Sequence, residues 1–365
     1  MSTEAQAEYA PPGALLFMSG TTLMRQPFDA AGLRVTGDPA PVAENIRLVS
    51  DFTAYSAYSV SHTGILVYVT EQAAVNRRLV WVDRRGAVTP LALAPGAYAD
   101  PGLSPDGRQI ALTSRDATGA HIWVYDIARG TLGKRTFEGV DDNFPIWSRD
   151  GTFLTFTRGP APSFRGPLMR VRADGSGTAE PLVAAAQPPG TMVATSWSAD
   201  GRLLAIQSEQ DIVVRDAEGV LHPTLTTNAR EQEARFASGG QWFSYKSNET
   251  GRFEVYVQSY PPGHGKWQIS TDGGAQGTWA PNGRELFYKS DNRMMVVDVE
   301  LGTAFTASTP RVLFEMPLPD RAPDDPDRFG VSPDAQRFLV LTTAEGEKGT
   351  PRRRRSRSSS TTRRR

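Results

Sequence analysis

The stretch "SPDGRQIALTS", residues 104–114, joins a turn cluster to an apolar run. Pro presets φ for the first corner of a turn, Asp bonds its own backbone two residues on, and Gly accepts a positive φ. The run that follows is rich in apolar residues, as a strand should be, so the pair reads as one arm of an antiparallel hairpin. The device returns as "SRDGTFLTFT" from 148, "SADGRLLAIQS" from 198, "APNGRELFYKS" from 280 and "SPDAQRFLVLT" from 332. In this setting Asp106, Asp150 and Asp200 are turn formers rather than catalysts.

Aligned on the last position of the cluster, the units are anchored at Gly13, Gly64, Gly107, Gly151, Gly201, Gly240, Gly283 and Ala335. Their spacing of 51, 43, 44, 50, 39, 43 and 52 residues is that of a four-stranded propeller blade. An apolar or aromatic residue precedes every cluster: Tyr9, Val60, Leu103, Trp147, Trp197, Phe236, Trp279 and Val331. A third strand follows in most units ("LVWVDRRG", "HIWVYDIARG", "FEVYVQSYP") and then a shorter fourth ("VTPLAL", "KWQIST"). No stretch of ten residues has helical periodicity. The expectation is an all-β fold, a β-propeller over 1–345, in which each blade buries its faces against two neighbours. Seven units are complete and the eighth has two strands, so seven blades is the first count, with six and eight left open. A propeller commonly closes by pairing strands from both ends of the chain.

Residues 351–365, "PRRRRSRSSSTTRRR", carry eight Arg and no acid, which predicts a disordered Arg/Ser-rich tail over 346–365. Without it, residues 1–350 hold 32 basic and 40 acidic residues, so the body offers no broad phosphate-binding face. Binding of nucleic acid or anionic lipid through the tail is the less favoured reading. No run approaches 18 apolar residues, so no membrane span is expected, and "MSTEAQAEYAPPG" is not a signal peptide as written. There is no Cys, which removes disulfides, thiolate sites and Cys nucleophiles together.

His62, His121, His222 and His264 are scattered and read as ordinary surface or loop side chains, so no metal site is expected. No G-x-S-x-G elbow occurs, and "PGHGKW" lacks the spacing of a phosphate loop. Neither a catalytic residue nor a cofactor is expected. Trp147, Trp197 and Trp279 share one repeat position, the mark of blade-to-blade core packing.

The units "GLSPDGRQIAL", "IWSRDGTFLTF", "SWSADGRLLAI" and "FGVSPDAQRFLVL" resemble the WD-like repeats of TolB-like propellers over nearly all of 1–345. The stretches "LLFMSGTTLMRQPFDAAGLRVTGDPAPVAENI", "SNETGRFEVYVQSYP" and "KWQISTDGGAQGTWAPNGRELFYKS" are similar to the propeller regions that lie C-terminal to bacterial Ser/Thr protein kinases. That likeness implies a sensing or interaction module, the regulatory part of a receptor-like kinase if a kinase lies upstream. The chain itself has no Gly-rich loop, H-R-D or D-F-G. It implies a gene fragment or an independent short protein, periplasmic by the TolB likeness and cytoplasmic by the missing signal.

One site follows from the repeat. The segment entering the first strand of a propeller blade lies near the central channel, at one rim. Those segments hold Tyr98 and Asp100, then Asp142, Asn143 and Phe144, then Arg230, Glu231, Glu233 and Arg235, then Asp272 and Gln276. Of these, Asp100, Asp142, Asn143, Arg230, Glu231, Glu233 and Gln276 are the candidate ligand-binding residues. The expectation is a non-catalytic binding or sensing platform for a protein or small ligand. The alternative is a propeller enzyme, a lyase or hydrolase, with its site in the channel.

Overall fold

The computed structural model of the chain describes residues 7–344, apart from 20–21, 45, 47, 52, 57, 69–75, 139–140, 161–163, 183–189 and 317–327. The tail expected over 346–365 lies outside the described residues. Strands, turns and bends make up the rest, and among the described residues no helix is long and apolar enough to cross a membrane.

The turn cluster works as its chemistry predicts. The Ser104 hydroxyl donates to Asp106 Oδ1 at 2.6 Å and accepts from the Gln109 amide at 2.9 Å. Asp106 also takes the Arg108 amide at 3.0 Å, and Gly107, at φ 73°, closes the backbone turn onto the Ser104 carbonyl. The same contacts surround Asp150, Asp200 and Asp334. At the last of them Ala335 holds the left-handed φ of 55° without being glycine.

These turns connect six sheets. Blade 1 is Tyr98–Leu103, Gln109–Asp116, Gly119–Asp126 and Thr131–Lys134, paired in chain order. Blade 2 is Asp142–Trp147, Phe153–Arg158, Leu168–Arg172 and Glu180–Pro181. Blade 3 is Met192–Trp197, Leu204–Ser208, Asp211–Arg215 and Leu221–Leu225. Blade 4 is Glu231–Phe236, Trp242–Ser247, Glu254–Ser259 and Lys266–Gln268. Blade 5 is Ala275–Trp279, Glu285–Ser290 and Arg293–Leu301, the last pairing with both Phe305–Ala307 and Arg311–Glu315. Blade 6 joins the two ends of the ring: Gly330–Val331 and Arg337–Thr343 supply its first two strands, Arg77–Asp83 and Val88–Pro90 its last two.

The ring is closed by packing as well as pairing. One apolar core lies between each blade and the next. Leu79, Leu339 and Leu341 of blade 6 meet Ile110 and Leu112 of blade 1. Ile122 and Val124 then meet Leu154 and Phe156 of blade 2, and Leu168 meets Leu204 and Ile206 of blade 3. Ile212 and Val214 meet Phe243 and Tyr245 of blade 4, whose Val255 and Val257 meet Leu286 and Val297 of blade 5. Phe287 and Val296 complete the circuit against Phe338 and Val340 of blade 6.

Six is one of the counts that the repeat leaves open beside seven. The unit anchored at Gly13 makes a sheet of its own from Glu8–Ala10, Ala14–Ser19, Thr22–Asp29 and Ala40–Ala43, with Arg34–Val35 at one side. The unit anchored at Gly64 is divided. Its hairpin Tyr58–Val60 and Leu66–Tyr68 packs against the Gly13 sheet through Tyr58, Val60 and Leu66, while its last two strands belong to blade 6.

Candidate functional site

The first strand of each blade carries the site, because a bulge interrupts its pairing at a fixed place. The register shifts between Ala99 and Gly102, Asn143 and Ile146, Ala194 and Ser196, Gln232 and Arg235, and Ala275 and Thr278. A bulge bends the strand and re-aims a side chain. Four residues three places before the cluster-preceding Leu103, Trp147, Phe236 and Trp279 stand in the left-handed region: Asp100, Phe144, Glu233 and Gln276, with φ from 52° to 59°. For a bulky residue such as Phe144 this is a strained conformation, one that persists only where the surroundings impose it. The equivalent residues of the other two blades are Ala194 and Arg328.

Arg328 shows where this ring of six side chains points. Its Nη2 donates to the Ala194 carbonyl at 3.4 Å, and its guanidinium lies 5.9 Å from the Phe144 ring centroid. Asp100 and Glu233 both act on its charge. A side chain from blade 6 that bonds to blade 3, opposite it in a ring of six, lies across the central axis. So Asp100, Phe144, Ala194, Glu233 and Arg328 surround one channel, and Gln276 joins them through its amide, which donates to Glu233 Oε2 at 2.8 Å.

The channel is charged and sheltered. Lys246 Nζ lies 3.1 Å from Glu233 Oε1. Burial works against the Glu233 charge, but Lys246 and the Gln276 amide outweigh it and hold the carboxyl below its usual range. Asp100 is buried and accepts from Thr113 Oγ1 at 3.3 Å. Arg235 stands two places along the strand from Glu233. Burial and the nearby Arg328 charge pull its guanidinium down to about 10, and burial lowers Arg328 as well. Both remain cations at neutral pH.

The seven expected residues divide by position. Asp100, Glu233 and Gln276 meet in the channel. Asp142, Asn143, Glu231 and Arg230 lie further back, before the bulge, and brace the start of their strands. Asp142 is fully buried and takes Arg158 Nε at 2.8 Å and Nη2 at 3.2 Å. Burial raises its pKa against that pull. Asn143 Nδ2 donates to the Gly159 carbonyl at 3.2 Å. Glu231 is buried, accepts from Thr227 Oγ1, and is raised by burial. The Arg230 amide donates to Asn248 Oδ1 at 2.8 Å. Arg328 was missed, although counting three residues back from Val331 finds it.

At the apolar residues that precede the turn clusters, a cavity of about 230 Å³ is lined by Leu103, Trp197, Phe236, Trp279 and Val331, one from each of five blades, together with Ser104, Arg149 and Ser238 among others. Trp147, Trp197 and Trp279 also pack between blades, as their shared position suggested, and the Trp147 and Trp279 indole N–H groups each donate at 2.9 Å to a carbonyl of the preceding blade. Trp197 differs: its Nε1 is buried with no partner among the described residues. One histidine also departs from its expected place. His121 is fully buried in the third strand of blade 1, with Nε2 2.8 Å from Thr118 Oγ1, and burial lowers its pKa. Among the described residues no three His, Asp or Glu side chains cluster as metal ligands.

No known protein family matches the sequence, and no curated protein matches it. Among solved structures the chain is similar to a putative TolB from Agrobacterium tumefaciens, at 16% identity and a TM-score of 0.59, over 74% of this chain and 99% of that one. It is also similar to TolB from Acinetobacter baumannii, at 15% identity and a TM-score of 0.47, over 93% and 79% of the two chains. An oligogalacturonate lyase in complex with manganese shares 12% identity at a TM-score of 0.46, over 66% and 75%. Of these three only the first carries an argument, and it concerns architecture alone. The chain has a TolB-like β-propeller fold.

Proposed function

We propose that this chain is a non-catalytic propeller whose central channel binds a ligand, in the manner of a sensing or recognition module. The observation that supports it most is the single ring of side chains three places before the apolar residues that precede the turn clusters, with Arg328 crossing the axis to the Ala194 carbonyl. Side chains from separate blades thereby converge on one volume, and the left-handed backbone at Asp100, Glu233 and Gln276 fixes their aim. Polar groups held in a sheltered concavity by a rigid frame recognise ligands without needing to move.

The test is a thermal-shift screen of the whole chain against amino acids, organic acids, sugars, divalent cations and short peptides. Compounds that raise the melting temperature are repeated on a Glu233→Gln, Gln276→Ala double variant. The expected result is that stabilisation is lost in the variant, whose own melting temperature stays within a few degrees of the parent. Stabilisation that survives the substitutions would place binding outside the channel. Turnover of a stabilising compound, seen as a new product by mass spectrometry, would favour the enzyme reading instead.

A further inference from the structure

Given the ligand-binding channel proposed above, its charges decide what it takes. Three cations, Arg235, Arg328 and Lys246, face two carboxylates, Asp100 and Glu233. Glu233 is engaged on both oxygens, by Lys246 on one and the Gln276 amide on the other. The Arg235 side chain makes no hydrogen bond or ion pair among the described residues, and its Nε is buried without a partner. Arg328 has only the long bond to Ala194 and the face of Phe144. Two half-buried guanidiniums with donors to spare, in a sheltered channel, are an incomplete arrangement, because donors held away from water without an acceptor are costly. An anion that accepts from both would complete it.

The count of charges limits which anion. Among the described residues one positive charge is in excess, so a monoanion neutralises that cluster, whereas a dianion such as phosphate would meet Asp100 and Glu233 with charge left over. The planar fork of arginine matches a carboxylate. The cavity limits the rest of the ligand. Its walls include Leu103, Trp197, Phe236, Trp279 and Val331 beside the polar Ser104, Arg149 and Ser238, and Phe236 directly follows Arg235 on the same strand. At about 230 Å³ it holds one small organic body, not a length of peptide. Trp197 adds an indole N–H that has no acceptor among the described residues.

We propose that the channel binds a small apolar monocarboxylate, its carboxylate held by Arg235 and Arg328 and its body seated against Trp197, Phe236 and Trp279. Binding forms no covalent bond and transfers no proton, since both arginines are already charged.

Isothermal titration of the whole chain with phenylacetate, hexanoate and benzoate tests this, with phenylacetamide as the uncharged isostere. At least one acid is expected to bind at up to about 10 mM. Phenylacetamide should bind weaker by on the order of tenfold, and Arg235→Gln should cost the acid a similar factor. Arg235→Lys should recover part of that loss, and Trp197→Ala should weaken acid and amide alike. Since Gln removes a half-buried charge whose side chain makes no hydrogen bond among the described residues, Arg235→Gln should melt no lower than the parent, so weaker binding would not reflect misfolding. Failure of all three acids to bind, or equal binding of acid and amide, would overturn the proposal. If the acids fail while another compound's binding is lost in the Glu233→Gln, Gln276→Ala variant, the channel reading stands and only the ligand class falls. If an acid binds and neither set of substitutions changes its affinity, both fall.

Discussion

Two hairpins of this chain carry the same repeat, and each precedes or follows the strand Arg77–Asp83 with the right phase to pair with it. The hairpin Tyr58–Val60 and Leu66–Tyr68 lies next to that strand in sequence. The hairpin Gly330–Val331 and Arg337–Thr343 lies at the far end of the ring, yet it is the one that pairs, residue for residue from Arg77↔Thr343 to Asp83↔Arg337. Loop length argues weakly for the near one. Closing the longer loop costs about 3 kcal/mol more than closing the short one by its logarithmic length, and five folded blades in between shorten it in effect. Burial argues strongly for the far one. Phe338, Leu339, Val340 and Leu341 are all buried, and each apolar side chain contributes about 1.5–3 kcal/mol when removed from water. In the near hairpin Ile65 and Val67 are each 63% exposed. The comparison teaches that sequence neighbourhood does not choose the partner in a closed ring. The partner is the strand that can fill both inter-blade cores, here against Phe287 on one side and Leu112 on the other.

The largest effect should come from removing one hairpin or the other. A chain ending before residue 330 should lose the cooperative unfolding of the ring, and the amides of Arg77–Asp83 should exchange rapidly with solvent deuterium. A chain beginning at residue 76 should keep both the transition and the protection. Retained protection at 77–83 in the first truncation would mean that the near hairpin can take the far one's place, and the comparison would break.

Single substitutions sharpen the same contrast. Phe338 is fully buried and packs edge to face on Phe287 with ring centroids 4.9 Å apart. Phe338→Ala should destabilise the ring by about 3–5 kcal/mol in denaturant unfolding. Val67→Ala should stay within about 0.5 kcal/mol. Equal effects at the two positions would show that the exposed strand is buried in solution.

The architecture was legible because each unit states its turn in side-chain chemistry. Ser, Asp and Gly at fixed spacing can do little else but close the hairpin that is seen around Asp106. The division of the Gly64 unit was not legible, since both hairpins satisfy the pattern and only packing separates them. The site was half legible. Polar residues in the entering segments were visible, but strand alternation would put Asp142 and Glu231 on the same face as residues two places on. The bulge breaks that parity, so Asp142 turns to Arg158 while Glu233 turns to the channel. Arg328 escaped because the first strand of blade 6 is only Gly330–Val331, too short to mark its own approach.

The smallest effect separates the two turns. Asp334 accepts from the Ser332 hydroxyl at 2.5 Å and the Gln336 amide at 3.1 Å. In the near hairpin the matching residue is Thr63, whose Oγ1 meets Ser61 Oγ at 2.9 Å with no carboxylate present. The Ser332 hydroxyl and the Gln336 amide hold the Asp334 carboxyl below its usual range, as Ser148 and Thr152 hold Asp150 down to about 2. A carboxyl depressed in the folded state stabilises it above the unfolded pKa, and that contribution fades as pH falls through the folded value. Unfolding free energy should therefore drop between about pH 4 and pH 2. Asp334→Ala should cost below about 1 kcal/mol at pH 7, because the side chain is exposed, and the variant should lose less than the parent across the acid window. Thr63→Asp should give the near hairpin the same acid sensitivity, read as a pH-dependent gain in amide protection at Ile65, without drawing it into the ring. A parent and an Asp334→Ala variant that fall in parallel from pH 4 to pH 2 would show that this turn carboxylate contributes nothing to closure.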